Sequence, residues 1–194
     1  MHRLVRPVIE PLADSSVTPN QVTTARLIAG LSASAACMVG GQTWIAIGGV
    51  LFVISMLLDR ADGALARLSG KKSRFGHRYD LVSDAVCNAM IFVGLGIGLR
   101  DSPLGDWTVL LGVLAGVAVG AILLMVMLAE LQAGERAAEL QNFAGFDADD
   151  GMIVVPIAMW VGLALPLLYL AASITPLFAL FFTWKYRRFL HRRA

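Results

Sequence analysis

The stretch from Trp107 to Leu128, WTVLLGVLAGVAVGAILLMVML, contains no charged side chain and is as long as the roughly 20 residues that a helix needs to cross a bilayer. In hydrocarbon every backbone polar group has to be satisfied within the chain, so such a segment is restricted to a helix. Apolar runs at about 23–40, 43–58, 77–99, 152–165 and 167–184 predict five more. Composition agrees: the mean hydropathy is +0.71, and charged residues are 15% of the 194, against about 25% in soluble domains. The prediction is an all-α integral membrane protein: six transmembrane helices over 23–190 in a single domain spanning 1–194, preceded by an interfacial amphipathic helix over 1–20.

That first segment carries Arg3 and Arg6, but Pro7, Glu10, Pro11 and Asp14 interrupt any apolar run, which excludes a secretory signal. Leu4, Val5, Val8, Ile9 and Leu12 share one face, as in a helix lying at the membrane surface. Thr18-Pro19-Asn20 reads as the start of the first span and Gly40-Gly41-Gln42 as the turn that ends it. The pattern after Leu58 stays helical to about Leu68, and the one after Leu128 continues through AELQAGERAAELQ. Lys and Arg gather in the termini and in the 69–78 and 130–150 connections, while the opposite connections hold only Arg100. Basic residues stay inside, so both termini are expected on the cytoplasmic side of the cell membrane. Lys185, Arg187, Arg188, Arg192 and Arg193 suit anionic lipid there. Cys37 and Cys87 stand alone in apolar segments and read as packing residues.

Against this background four acids are conspicuous. Asp59 and Asp62 are spaced i, i+3 on the second helix, so they share a face, which Gly63 and Ala66 clear of bulk. Asp80 and Asp84 are spaced i, i+4 on the third, with Gly76 four residues earlier. A short loop makes the two helices an antiparallel hairpin. Insertion of an Asp at a helix centre costs about 2.5–3.5 kcal/mol, so four cost about 10–14 kcal/mol, less near the interface and more with mutual repulsion. Something positive belongs among them. Arg60 and Arg67 project at different angles. Clustered carboxylates without His or Cys suit a hard cation, Mg²⁺ or Mn²⁺, rather than zinc. Such ions attract phosphate oxygens, to which Lys71, Lys72, Ser73 and Arg74 in the adjoining loop are also suited. Two other readings are an interfacial hairpin whose acids pair with those basic residues, and an ion-coupled transporter, whose acids usually sit near mid-membrane on broken helices.

The spacing D-x-x-D-G-x-x-A-R-x8-G-x-x-x-D-x-x-x-D, filled by Asp59, Asp62, Gly63, Ala66, Arg67, Gly76, Asp80 and Asp84, resembles the signature of the CDP-alcohol phosphatidyltransferases. The helix-one opening TPNQVTTAR and the six-span layout are similar to that family too. The resemblance implies a homodimeric membrane enzyme that moves a phosphatidyl group from CDP-diacylglycerol to an alcohol and releases CMP. It implies Asp59, Asp62 and Asp80 as ligands of two Mg²⁺ or Mn²⁺ ions, and Asp84 as general base and ligand of the second. Gly63 and Arg67 become contacts of the CDP-lipid, Ser73 a pyrophosphate contact, and Asn20 and Gln21 weaker candidates for the nucleotide. A CDP-linked amino alcohol with diacylglycerol as acceptor is the reverse usage of the same chemistry.

The acceptor alcohol is not named by any motif. The 130–150 segment offers Arg136 against Glu130, Glu135, Glu139, Asp147, Asp149 and Asp150, an environment that an amine-bearing or uncharged alcohol tolerates better than a phosphorylated one. Asp149 and Asp150 are candidates for acceptor binding; the plain alternative is capping of the fifth span. His77, beside the motif glycine, can contact phosphate or simply face water. Gly112, Gly116 and Gly120, with Gly94 and Gly98, form small-residue packing stripes that serve either a dimer or the bundle itself. No nucleic-acid partner is expected.

Overall fold

The computed structural model describes residues 15–71, 73–133 and 151–191, and these contain helices and turns but no strand. The helices are α1 (Pro19–Val39), α2 (Gln42–Leu68), α3 (Arg74–Gly98), α4 (Trp107–Ala133), α5 (Val154–Trp160) and α6 (Ala164–His191). Five of them are long and apolar enough to cross a membrane: α1, α2, α3, α4 and α6. The surface helix expected over 1–20 falls almost wholly outside the described residues, as do Lys72, Arg136, Asp147, Asp149 and Asp150.

Local chemistry sets the boundaries. Thr18 caps α1 through a capping box: its Oγ1 accepts from the Gln21 N–H at 3.4 Å, and the Gln21 Oε1 accepts from the Thr18 N–H at 2.9 Å. Pro19, in the first turn, lacks only an N–H that would have had no helical partner. Ser73 caps α3, its Oγ accepting from the Gly76 N–H at 2.9 Å. The fifth predicted span differs from expectation. Its described helix, α5, has 7 residues, about 10 Å of rise at 1.5 Å per residue. It stops not at Pro166 but at Gly162, whose φ of 76° lies in the left-handed region and lets the Leu163 N–H reach the Ala158 carbonyl at 2.8 Å. Pro166 instead sits in the first turn of α6, where proline is tolerated.

The bundle is organised around α1 and α3. Both α2 and α3 pack extensively on α1 but touch each other little; α4 lies on α3, and α6 on α4. Phe52, Ile91, Leu95, Met159 and Leu168 are among the fully buried side chains at the centre. Leu110, Val117 and Leu180 are more than half exposed, as side chains facing lipid should be. The glycine stripes close two seams within the chain: Gly94 and Gly98 lie against Ser34 and Cys37 of α1, whereas Gly112 and Gly116 lie against α3. A Cβ at Gly112 would come 2.6 Å from the Phe92 carbonyl oxygen, and one at Gly96 would come 2.9 Å from the Gly112 Cα. Thr108, fully buried, donates across the same seam to the Gly96 carbonyl at 2.8 Å. Since the clashing atoms are backbone, Gly112→Ala has to push two helices apart. We expect a loss of about 1–3 kcal/mol, read as a lower unfolding temperature of the detergent-solubilised protein. Gly120→Ala, which would meet only the Ala89 Cβ at 3.7 Å, should leave that temperature unchanged.

Candidate active site

The cluster lies where the C-terminal part of α2 and the N-terminal part of α3 meet the start of α1. One carboxylate oxygen from each of Asp59, Asp62 and Asp80 falls within 4.8 Å of the others. Asp62 is the deepest, 3% exposed, and accepts a 2.8 Å hydrogen bond from Thr23 Oγ1 of α1. Thr23 is equally buried, so this bond fixes one oxygen of Asp62 and leaves the other for a ligand.

The positive charge that the four acids demand comes from α1. Arg26, only 2% exposed, places Nη1 at 2.6 Å from Asp59 Oδ1 and 2.7 Å from Asp80 Oδ1, while its Nη2 pairs with Asp84. Asp84 also accepts from Asn88 Nδ2 at 2.9 Å, one turn further along α3. Arg26 engages three of the four carboxylates, and every ligand atom of the close group is a hard oxygen. This donor set fits a divalent cation of the Mg²⁺ or Mn²⁺ type.

Two cavities flank the acids. The larger, about 310 Å³, is lined by Pro19, Asn20, Thr23, Asp62, Gly63, Ala66, Arg67, Lys71, Ser73, Gly76, His77 and Asp80. It thus combines one side of the acid group with Arg67, Lys71 and the Ser73 hydroxyl, whereas Arg74, also expected at phosphate, does not line it. Gly63 leaves its floor open, since the nearest neighbour of an added Cβ would be Arg67 Nη1 at 3.6 Å. At Gly76 a Cβ would come 2.7 Å from Asn20 Oδ1, so Gly76 is what lets Asn20 close over the rim. On the other side, a cavity of about 20 Å³ is bounded by Arg26, Ser55, Asp59, Arg60, Asp84, Asn88 and Met152, among others.

Of the residues predicted from sequence, Asn20, Asp62, Gly63, Arg67, Ser73 and Asp80 come together around the larger cavity, with Asp59 within reach. Asp84 borders the smaller one. Gln21 does not line either; its side chain is engaged in the α1 cap. Lys71 and His77 join the larger site, whereas Arg60 faces the smaller. Thr23, Arg26 and Asn88 were missed. Arg26 left a signal: it is the single charged residue of α1, and a charge in an apolar span normally has a partner inside the bundle.

The comparisons agree with this geometry. The family model for CDP-alcohol phosphatidyltransferase matches residues 16–185. An archaetidylinositol phosphate synthase of Pyrococcus horikoshii is 36% identical over 87 residues, 45% of each chain. A phosphatidylinositol phosphate synthase of Mycolicibacterium smegmatis is 34% identical over 105 residues, 52% of this chain and 46% of that one. A bifunctional IPC transferase and DIPP synthase of Thermococcus kodakarensis is 26% identical over 119 residues, 61% of this chain and 27% of that one. The chain spans about half the length of the first two of these relatives. With the family model running from the cap of α1 into the last turns of α6, and all eight signature positions in place on α2 and α3, this chain belongs to the CDP-alcohol phosphatidyltransferase family.

Proposed function

We propose that the chain transfers a phosphatidyl group from CDP-diacylglycerol to an alcohol and releases CMP. The observation that carries this reading is a group of three convergent carboxylates, two of which, Asp62 and Asp80, line a cavity edged by Arg67, Lys71 and Ser73. A nucleotide diphosphate needs both: carboxylates that would hold charge-neutralising hard cations, and fixed donors for its remaining oxygens. Two Mg²⁺ or Mn²⁺ ions held by Asp59, Asp62, Asp80 and Asp84 would neutralise charge on the attacking and leaving oxygens. Arg67, Lys71 and Ser73 hold the diphosphate, with Asn20 and Gly63 at the nucleotide. Asp84, kept in orientation by Asn88 and Arg26, takes the proton of the acceptor hydroxyl. The new bond joins that oxygen to the lipid-side phosphorus, and the bond from this phosphorus to the CMP oxygen breaks.

We place both termini and the acids on the cytoplasmic side of the cell membrane, in a homodimer whose protomers have six spans and an N-terminal interfacial helix. Basic residues crowd that side, and the acids sit near one end of continuous helices. That position also favours transfer chemistry over an ion-coupled transporter, whose acids belong at mid-membrane. For the acceptor, the names of the relatives favour an inositol phosphate, and Arg60 supplies a cation beside Asp84 in the smaller cavity. The acidic 130–150 stretch favours an uncharged or amine-bearing alcohol instead. We give precedence to the inositol phosphate, because the relatives' names point to it and Arg60 lines the same cavity as Asp84. Reconstituted protein with CDP-diacylglycerol, Mn²⁺ and a panel of inositol phosphate, glycerol phosphate, serine and inositol tests it. Formation of a phosphatidylated inositol phosphate together with CMP is expected. CMP formed only with an unphosphorylated alcohol would overturn the acceptor assignment, and no CMP with any of them would remove the donor.

A further inference from the structure

We propose that Arg26 is the positioning residue of the acid cluster: an internal cation that draws the acid-bearing faces of α2 and α3 together and competes with divalent ions for their oxygens. The second half of this proposal rests on the metal reading above; the first does not. α2 and α3 both lean on α1 and touch each other little, so packing between them does not offset the repulsion of their carboxylates. Arg26 supplies the missing attraction from the helix that both share. One of its nitrogens contacts Asp59 on α2 and Asp80 on α3, at 2.6 and 2.7 Å, and the other reaches Asp84. Its own backbone is tied to α2, the Arg26 carbonyl accepting from Ser55 Oγ at 3.1 Å. A guanidinium can serve three acids at once because its donors form a rigid planar fork; an ammonium is a single point.

Asp59 and Asp80 also belong to the group of three carboxylates that suits a metal. An ion drawing on their oxygens therefore meets a positive charge already bonded to both. Asp84, whose carboxylate Arg26 and Asn88 engage, lies outside that group. Arg26 thus engages three of the four acids, Asp59, Asp80 and Asp84, and leaves Asp62 to Thr23 on the wall of the larger cavity.

The test uses the full chain in detergent and two variants, Arg26→Met and the double variant Arg26→Met/Asp84→Asn, with unfolding followed in chelator and across a Mn²⁺ titration. In chelator, Arg26→Met should unfold several degrees below wild type, because a carboxylate loses its buried partner. Removing the Asp84 charge as well should recover at least half of that loss. A double variant as low as the single one would overturn the counter-ion role, since a side chain that merely fills space gains nothing from neutralising Asp84. If Arg26→Met does not fold at all, a folded double variant supports the proposal and an unfolded one overturns it. With Mn²⁺, the concentration at half-maximal stabilisation should fall about tenfold in Arg26→Met, as expected when a neighbouring like charge is removed. An unchanged or higher midpoint would overturn the competition. A wild-type protein that Mn²⁺ does not stabilise would remove the metal reading, and the chelator comparison would still decide the role of Arg26.

Discussion

Asp84→Asn is expected to lower CMP release by about 10²–10⁴-fold, the range supplied by a positioned general base, while the chain still folds. The change keeps the size of the side chain and its place on α3 but removes both the proton acceptor and one charge from the cluster. Asn88 and Arg26 both donate to Oδ1 of this carboxylate, which fixes its orientation on α3. The measurement is the initial rate of CMP formation at saturating Mn²⁺ and CDP-diacylglycerol. A rate within a few-fold of wild type would strike Asp84 from the role of base.

Asp62→Ala should have the other large effect, for a different reason. Asp62 is the most buried of the four acids, with one oxygen committed to Thr23 at 2.8 Å. Its loss opens the trio on the side facing the larger cavity. A loss of about 10³-fold in CMP release is expected, equivalent to about 4 kcal/mol of transition-state stabilisation, with a weaker response of the unfolding temperature to Mn²⁺. Thr23→Val keeps the carboxylate and removes only the bond that orients it, so about 10–100-fold is expected, as for other outer partners of metal ligands. Equal losses in the two variants would mean that Thr23, rather than the carboxylate of Asp62, sets the site.

The helices and the acids were legible in the sequence because both obey short-range rules. A span without charge has one solution in hydrocarbon, and residues at i, i+3 or i, i+4 share a face wherever the helix goes. The start of α1 was equally local, Thr18 with Pro19 satisfying helix-end N–H groups, whereas α3 begins at Arg74, ahead of the expected 77, because Ser73 caps it through the Gly76 N–H. The end of α5 was misread because Pro166 and Gly162 both break patterns and only backbone conformation tells which does so; the left-handed φ belongs to Gly162. The counter-ion was not legible by the same means. Arg60 and Arg67 are near the acids along the chain, whereas Arg26 is 33 residues before Asp59 and reaches it only because α2 and α3 both pack on α1. The glycine stripes likewise fit a dimer or a bundle until the backbone of Phe92, which a Cβ at Gly112 would meet at 2.6 Å, assigned that position to the bundle.

The central claim is that these aspartates hold divalent ions at the wall of a nucleotide cavity, and locating Mn²⁺ by its anomalous scattering in crystals grown with CDP-diacylglycerol tests it most directly. The account predicts density among Asp59, Asp62 and Asp80, a second peak against Asp84, and the diphosphate lying between Arg67 and Lys71. Mn²⁺ bound elsewhere, or a CDP-lipid seated away from all four carboxylates, would contradict it.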